Sequence, residues 1–406
     1  MNFIKKYKVF MSDMILNMIG FGIYIVSQQI ILLPLLAKTV TDEVYANLVL
    51  YLTILNVVCN VTGGELGNVR LVRDSDYKKK SLVGDFTRIL VMLSPIIAII
   101  TLPIFIYLGY SIIGSIVFVL TILMANVRLY STCYYRLEGQ FNKVIIQNLF
   151  YLVGIVLSVI LLQFHINIYL ILFIPELISV FYALKNSDLV KMKLNKTEEM
   201  KETKKKFSQL GFVSFLTNMM DYFDKFLIYP MFGPALVAVY YAVNSMSKIA
   251  SLITNPMSSV ILSWVSKTDD KSKNKILKMT LIANIPVLII VTIITIPLTY
   301  VALRILYSQY LEQAMILIIP IAITTAFGTA AALIKSVLLK FTKTNKLVYT
   351  YIIYYIVFGI FAYYLSVTKG LFGFTIANLI SRGILWLMFI VLLFSSKKEV
   401  ETKEND

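Results

Sequence analysis

Runs of about twenty apolar residues recur along the whole chain, separated by short polar stretches. Each run is long enough to cross the hydrocarbon core of a bilayer as a helix. Hydropathy places spans at 14–37, 44–63, 86–108, 111–131, 144–163, 168–184, 209–231, 236–264, 279–303, 313–337, 347–366 and 371–394. The pattern predicts an all-α polytopic membrane protein of about twelve transmembrane helices, since only helices and closed barrels satisfy the backbone inside lipid. The first span is too long for a removable signal peptide and lacks the small-residue cleavage site of one. Composition agrees: 58% of residues are hydrophobic and 15% charged, where soluble domains carry about 25% charged residues.

The formal net charge of +16 changes the picture through its placement. Lys and Arg gather in alternate loops: Lys5, Lys6 and Lys8; Arg70, Arg73 and Lys78–Lys80; Arg136 and Lys143; Lys185 to Lys206; Lys267 to Lys278; Lys340 to Lys346; and Lys397 to Lys403. The intervening loops hold only Lys38, Arg304 and Lys369. That asymmetry predicts an even number of spans with both termini in the cytoplasm. It also predicts attraction to anionic membrane lipids rather than to nucleic acid.

The longest connection, "KNSDLVKMKLNKTEEMKETKKKFSQ" (185–209), falls near the midpoint and reads as a solvated, charged linker able to hold a short amphipathic helix. Across it the chain echoes itself. A shift of 196 residues aligns Pro34, Tyr45 and Ala46 with Pro230, Tyr241 and Ala242, and Asn142-Lys143-Val144 is echoed by Asn345-Lys346-Leu347. The expected domains are a six-helix bundle over 1–184, a cytoplasmic linker over 185–208, and a second six-helix bundle with a short tail over 209–406. Six is even, so the halves run in the same direction about a pseudo-two-fold axis along the membrane normal.

Several chemistries are weak here. Loops on the non-cytoplasmic side are about ten residues or fewer, within the usual range for helix connections and too short to build an enzyme site. His165, the only histidine, sits in a short loop, and Cys59 and Cys133 lie inside spans, so no metal cluster or disulfide framework is expected. Asp74 and Asp76 in "RDSDY" have the spacing glycosyltransferases use to hold a metal, but their loop is too small for a nucleotide-sugar fold. No phosphate-binding Gly-x-x-x-x-Gly-Lys-[Ser/Thr] loop is present. No cofactor is expected.

Polar residues inside the spans carry more information, because a charge at the bilayer centre costs roughly 2.5–3.5 kcal/mol. In span 7, "NMMDYFDKFLIYP" (218–230), Asn218, Asp221, Tyr222 and Lys225 share a helical stripe about 100° wide, with Asp224 beyond it. Asp221 and Lys225, one turn apart, can pair. In span 8, Asn244, Ser247, Lys248, Ser251, Asn255 and Ser258 line one face, with Lys248 near the midplane and Asn255-Pro256 at a kink. Span 1 offers Asp13, Asn17, Tyr24, Ser27 and Gln28; span 2 offers Thr53, Asn56, Asn60 and Gly63. These stripes point to a water-filled cavity, against the blander reading of salt bridges and small residues that merely pack helices. Arg128 and Lys335 are close enough to span ends to snorkel. Glu176 follows Pro175 in span 6, and Arg382, one turn after Asn378, is a further cavity candidate.

The stretch "DYFDKFLIYPMFGPALVAVYYAVNSMSKIASLI" (221–253) resembles the seventh and eighth helices of polysaccharide-export flippases, the O-antigen (Wzx-type) members of the multidrug/oligosaccharidyl-lipid/polysaccharide (MOP) exporter superfamily. "YYRLEGQFNKV" (134–144) is similar to the same family's loop after span 4. The resemblance implies two six-helix bundles in a V, with a central cavity lined by helices 1, 2, 7 and 8. It implies a non-enzymatic flippase in a bacterial inner membrane, moving an undecaprenyl-diphosphate-linked oligosaccharide from the cytoplasmic to the periplasmic leaflet by alternating access. Partners would be that lipid, membrane lipids, and a polysaccharide polymerase with chain-length proteins. For such a substrate Lys225, Lys248 and Arg382 are candidate diphosphate ligands. Gln28, Asn56, Asn60, Asn218, Tyr222, Tyr241, Asn244 and Asn255 are candidate sugar and cavity contacts, and Asp221 and Asp224 candidates for ion coupling. The rivals are a MATE-type drug/cation antiporter, which two span lysines disfavour, and a membrane enzyme of polysaccharide assembly. Lipid II flippases usually have fourteen spans, which disfavours that branch.

Overall fold

The computed structural model describes residues 3–73, 77, 84–164, 167–187, 189, 196–245, 273–342 and 344–404. The protein is an all-α polytopic membrane protein, with no strand among the described residues. α1 (Phe3–Ile25) passes through a π segment at Val26–Leu32 and resumes as α2 (Leu33–Thr39). α3 (Asp42–Cys59) likewise runs through a π segment, Asn60–Gly64, into α4 (Glu65–Val72). There follow α5 (Gly84–Tyr107), α6 (Ile112–Leu137), α7 (Phe141–Leu162) and α8 (Leu170–Asn186). α9 (Met200–Phe232), α10 (Pro234–Ser245), α11 (Lys273–Leu306), α12 (Leu311–Phe341) and α13 (Thr344–Glu404) complete the order.

Among the described residues, eight helical stretches are long and apolar enough to cross a membrane. The last, Asn345–Ser395, is 51 residues long, about 75 Å if straight against a core of about 30 Å. It is broken at Gly370, whose φ of 58° and ψ of −144° only glycine adopts without strain. α9 and α10 are likewise separated at Gly233, whose φ of 82° lets its N–H donate to the Tyr229 carbonyl while the chain leaves the helix. On α11, Ile282, Ile285, Ile289 and Ile293 point outward and exposed, the reverse of a soluble helix and suited to solvation by lipid.

The contacts divide into two compact units: Met1–Leu36 with Asn47–Phe226, and Ala37–Ala46 with Leu227–Asp406. In the first, Gly154 on α7 sits against the backbone of Pro175 on α8 so closely that a Cβ would clash with it, small residues letting membrane helices approach. The rings of Tyr51 and Phe118 stack at 3.8 Å. The charged connection carries the start of a helix. α9 begins within it, and Met200, Thr203, Phe207 and Leu210 form one face, the apolar three packing with Leu66, Tyr77, Phe86 and Tyr134. Arg73 ties this end down, donating to the Glu199 carboxylate at 2.8 Å and to the Thr203 hydroxyl at 2.8 Å. Asp85 accepts from the Thr197 N–H at 2.9 Å and from the Tyr77 hydroxyl at 3.0 Å. Burial, with the Asp85 charge beside it, raises the Tyr77 pKa.

In the second unit the Ala37–Ala46 hairpin is held by the Tyr310 hydroxyl, which donates to the Asp42 carboxylate at 2.6 Å, and by the Gln309 amide, which donates to the Ala37 carbonyl at 3.0 Å. Trp386 donates to Asn284 at 2.7 Å, and Asn284 donates to the Ala330 carbonyl at 3.1 Å, tying α13, α11 and α12 together.

Candidate functional site

Lys225 is fully buried. Its ammonium donates to the Asp224 carboxylate at 2.5 Å and to the Asp221 main-chain carbonyl at 3.2 Å, and it lies 5.7 Å from the centre of the Tyr222 ring. Asp224 also accepts the Lys225 N–H at 2.9 Å. The ion pair thus differs from the one-turn pairing with the Asp221 carboxylate that spacing predicts. Lys225 is flexible enough to fold back on its neighbour, and Asp224 is buried while Asp221 is exposed, so the stronger attraction is to the less hydrated carboxylate.

Two turns before Lys225, Asn218 meets Asn60, whose amide donates to the Asn218 carbonyl oxygen at 2.9 Å. Asn218 in turn donates to the Ser214 carbonyl at 2.8 Å. Asn60 opens the second π segment, and Gln28 lies inside the first, buried and accepting from Gln29 at 3.4 Å. Short π segments inside α-helices occur often at functional sites. Here both coincide with polar positions singled out in spans 1 and 2. The second is clamped by Asn126 of α6, whose side-chain oxygen accepts from the Thr62 hydroxyl at 2.5 Å and the Gly63 N–H at 2.8 Å. A Cβ at Gly63 would sit 2.5 Å from the Asn126 carbonyl oxygen, so this crossing requires glycine.

Asn56 is half-buried on α3, and Tyr222 and Asn244 are half-buried on α9 and α10. Within the second unit Tyr241 is buried edge-on to Tyr45, ring centres 6.3 Å apart. The pair of residues in the 196-residue echo therefore touches. Arg382 is buried beside Gly328, where a Cβ would lie 3.2 Å from its guanidinium, and Asn378 donates to the Tyr240 hydroxyl at 3.3 Å. Lys248 and Asn255, with Asp74, Asp76 and His165, lie outside the described residues. Lys335 is half-buried, 5.8 Å from the Tyr351 ring centre.

Arg128 corrects the expectation that it snorkels. It is buried and donates twice to Glu176, at 2.7 and 3.0 Å, with its guanidinium 4.4 Å from the Tyr24 ring centre and 5.2 Å from that of Tyr151. A bidentate pair with two aromatic faces lowers the cost of holding a guanidinium at this depth. Sequence reading left both charges isolated. The available signal was two opposite charges in spans 4 and 6, one of them beside Pro175.

Fold and buried charge together define an all-α polytopic membrane protein that keeps ion pairs inside its helices. No protein-family profile matches the sequence, and no curated protein matches it. Solved structures do match. A MOP-superfamily transporter from Pyrococcus furiosus, described as having a binding pocket of reverse polarity, superposes with TM-score 0.69 at 14% identity over 97% of this chain and 96% of that one. The lipid II flippase MurJ in an inward-closed conformation gives TM-score 0.66 at 15% identity over 97% and 87%. An outward-facing multidrug-resistance MATE transporter gives 0.68 at 14% over 96% of both chains. At these identities the likeness is one of fold.

Proposed function

We propose that this chain is a transporter, and specifically a flippase that moves an undecaprenyl-diphosphate-linked oligosaccharide from the cytoplasmic to the periplasmic leaflet of a bacterial inner membrane by alternating access. The observation that carries this reading is Lys225, a fully buried cation on a long helix, paired with Asp224 and two turns from the Asn60–Asn218 bridge. A diphosphate crossing hydrocarbon needs cations, and sugar hydroxyls need amides and aromatic faces. Lys225, Lys248 and Arg382 take the diphosphate. Gln28, Asn56, Asn60, Asn218, Tyr222, Tyr241, Asn244 and Asn255 serve the sugars. The diphosphate competes for Lys225 and releases Asp224, which takes a proton or Na⁺; Asp221 assists from the exposed side. The fold shared with a lipid II flippase supports a lipid-linked substrate. Both termini are cytoplasmic, and a polysaccharide polymerase with chain-length proteins receives the product.

The test is a strain lacking the gene, its lipid-linked oligosaccharide quantified and its surface polysaccharide stained. Accumulated single repeat units with a bare surface are expected. Normal surface polysaccharide with altered sensitivity to cationic drugs would instead place the chain with the MATE-type antiporters.

A further inference from the structure

Where α6 ends at Leu137, α7 begins at Phe141 and α8 ends at Asn186, the structure holds a polar pocket of about 250 Å³ lined by Tyr134, Tyr135, Glu138, Lys143, Lys185, Asn186 and Ser187. Four of these come from "YYRLEGQFNKV", which the proposed transport path does not use. Three helix ends meet there, so the pocket lies at headgroup depth, on the side to which the basic loops belong.

Two observations point to a ligand. First, Tyr135 is 1% exposed and its hydroxyl has no hydrogen-bond partner among the described residues, although buried hydroxyls are normally satisfied. Second, the pocket presents two ammonium groups. Lys143 is half-buried, 5.9 Å from the Tyr135 ring centre, and reaches the Asn186 carbonyl at a long 3.4 Å. Lys185 is exposed at the rim. Against these stands one carboxylate, Glu138, leaving a single net positive charge among the lining residues. That charge matches one phosphodiester.

We propose that this pocket is a phosphate-group site that holds the headgroup phosphate of an anionic membrane lipid. Lys143 and Lys185 bind the phosphate oxygens, and the Tyr135 hydroxyl donates the missing hydrogen bond. Glu138 accepts from headgroup hydroxyls, which favours a glycerol headgroup over choline. Basic pockets between transmembrane helices on this side are suited to anionic headgroups. The site stands independently of the flippase reading.

The full-length chain in detergent is titrated with a short-chain phosphatidylglycerol, with the matched phosphatidylcholine, and, by calorimetry, with inorganic phosphate; native mass spectrometry reads the lipid arms. Tighter binding of phosphatidylglycerol than phosphatidylcholine is expected. Lys143→Gln with Lys185→Gln should weaken it about thirty-fold, each lysine near an anionic surface contributing about fivefold. Tyr135→Phe, which removes one oxygen and leaves the ring, should weaken it severalfold without lowering the melting midpoint. Lys204→Gln on the exposed face of α9 should change nothing. Phosphate binding lost in the same variants supports the phosphate site and identifies free phosphate as a second source; lipid binding alone supports the headgroup as the source. Equal affinity for the two lipids, or phosphatidylglycerol affinity untouched by the lysine and Tyr135 variants, overturns the proposal.

Discussion

Replacing Glu176 by glutamine removes a charge while changing almost no volume, so its effect isolates the electrostatics of the α6–α8 contact. In the wild type the Arg128 guanidinium makes two hydrogen bonds to Glu176, at 2.7 and 3.0 Å, with both side chains buried. Glutamine offers one neutral acceptor and turns an amide donor toward a guanidinium that cannot accept. The remaining cation keeps the faces of Tyr24 and Tyr151 at 4.4 and 5.2 Å, worth about 0.5–2 kcal/mol each. Breaking one side of a buried pair costs about 3–5 kcal/mol, whereas replacing both partners by apolar residues of similar size is often neutral or better. Glu176→Gln should therefore lower the melting midpoint of the purified protein by roughly 6–20 °C, at about 2–4 °C per kcal/mol for a unit of this size. Arg128→Met with Glu176→Leu should restore most of the loss. Thermal unfolding in one detergent, followed by intrinsic fluorescence, reads all variants together. A shift below about 1 °C for Glu176→Gln, or a double variant as unstable as the sum of the singles, would refute a buried, mutually dependent pair.

Other perturbations test neighbouring contacts. Gly154→Ala drives a Cβ into the backbone of Pro175 and should cost about 1–3 kcal/mol, read as a lowered midpoint; an unchanged midpoint means α7 and α8 do not pack this closely. Arg73→Ala removes the bonds to Glu199 and Thr203 and should speed amide exchange at the start of α9 roughly tenfold, leaving exchange in α11 unchanged. Lys225→Met with Asp224→Leu removes both partners of a buried pair, so the midpoint should hold while lipid-linked oligosaccharide accumulates in cells; normal export would make the pair structural only.

Much of the fold could be read from the sequence because lipid imposes one rule on every span. The backbone must satisfy itself, so a run of apolar residues can only be a helix. The described parts of these spans are helical, and Gly233 and Gly370, between the hydropathy windows 209–231 and 236–264 and between 347–366 and 371–394, mark two of the breaks. Faces were less legible. Projecting residues at 100° each assumes an unbroken α-helix, and the π segments at Val26–Leu32 and Asn60–Gly64 shift that phase where Gln28 and Asn60 lie. Partners across helices were not legible at all. Asn60 and Asn218 were assigned to the same cavity, yet nothing in either span says they touch.

Two buried ion pairs among the described residues show why. Lys225 and Asp224 are sequence neighbours, so periodicity could place them on adjoining faces but could not decide which carboxylate the lysine would choose. That choice depends on which oxygen is drier, a property of neighbouring helices. Arg128 and Glu176 lie 48 residues apart, and each alone looks like a charge seeking the membrane surface. Snorkelling and pairing are competing solutions to one desolvation cost, and a long side chain near a span end can take either. The decision falls to pairing when an opposite charge waits at equal depth and aromatic faces close over it, as Tyr24 and Tyr151 do here. A better rule for such sequences is to balance every intramembrane charge against every opposite one before letting any of them reach for water.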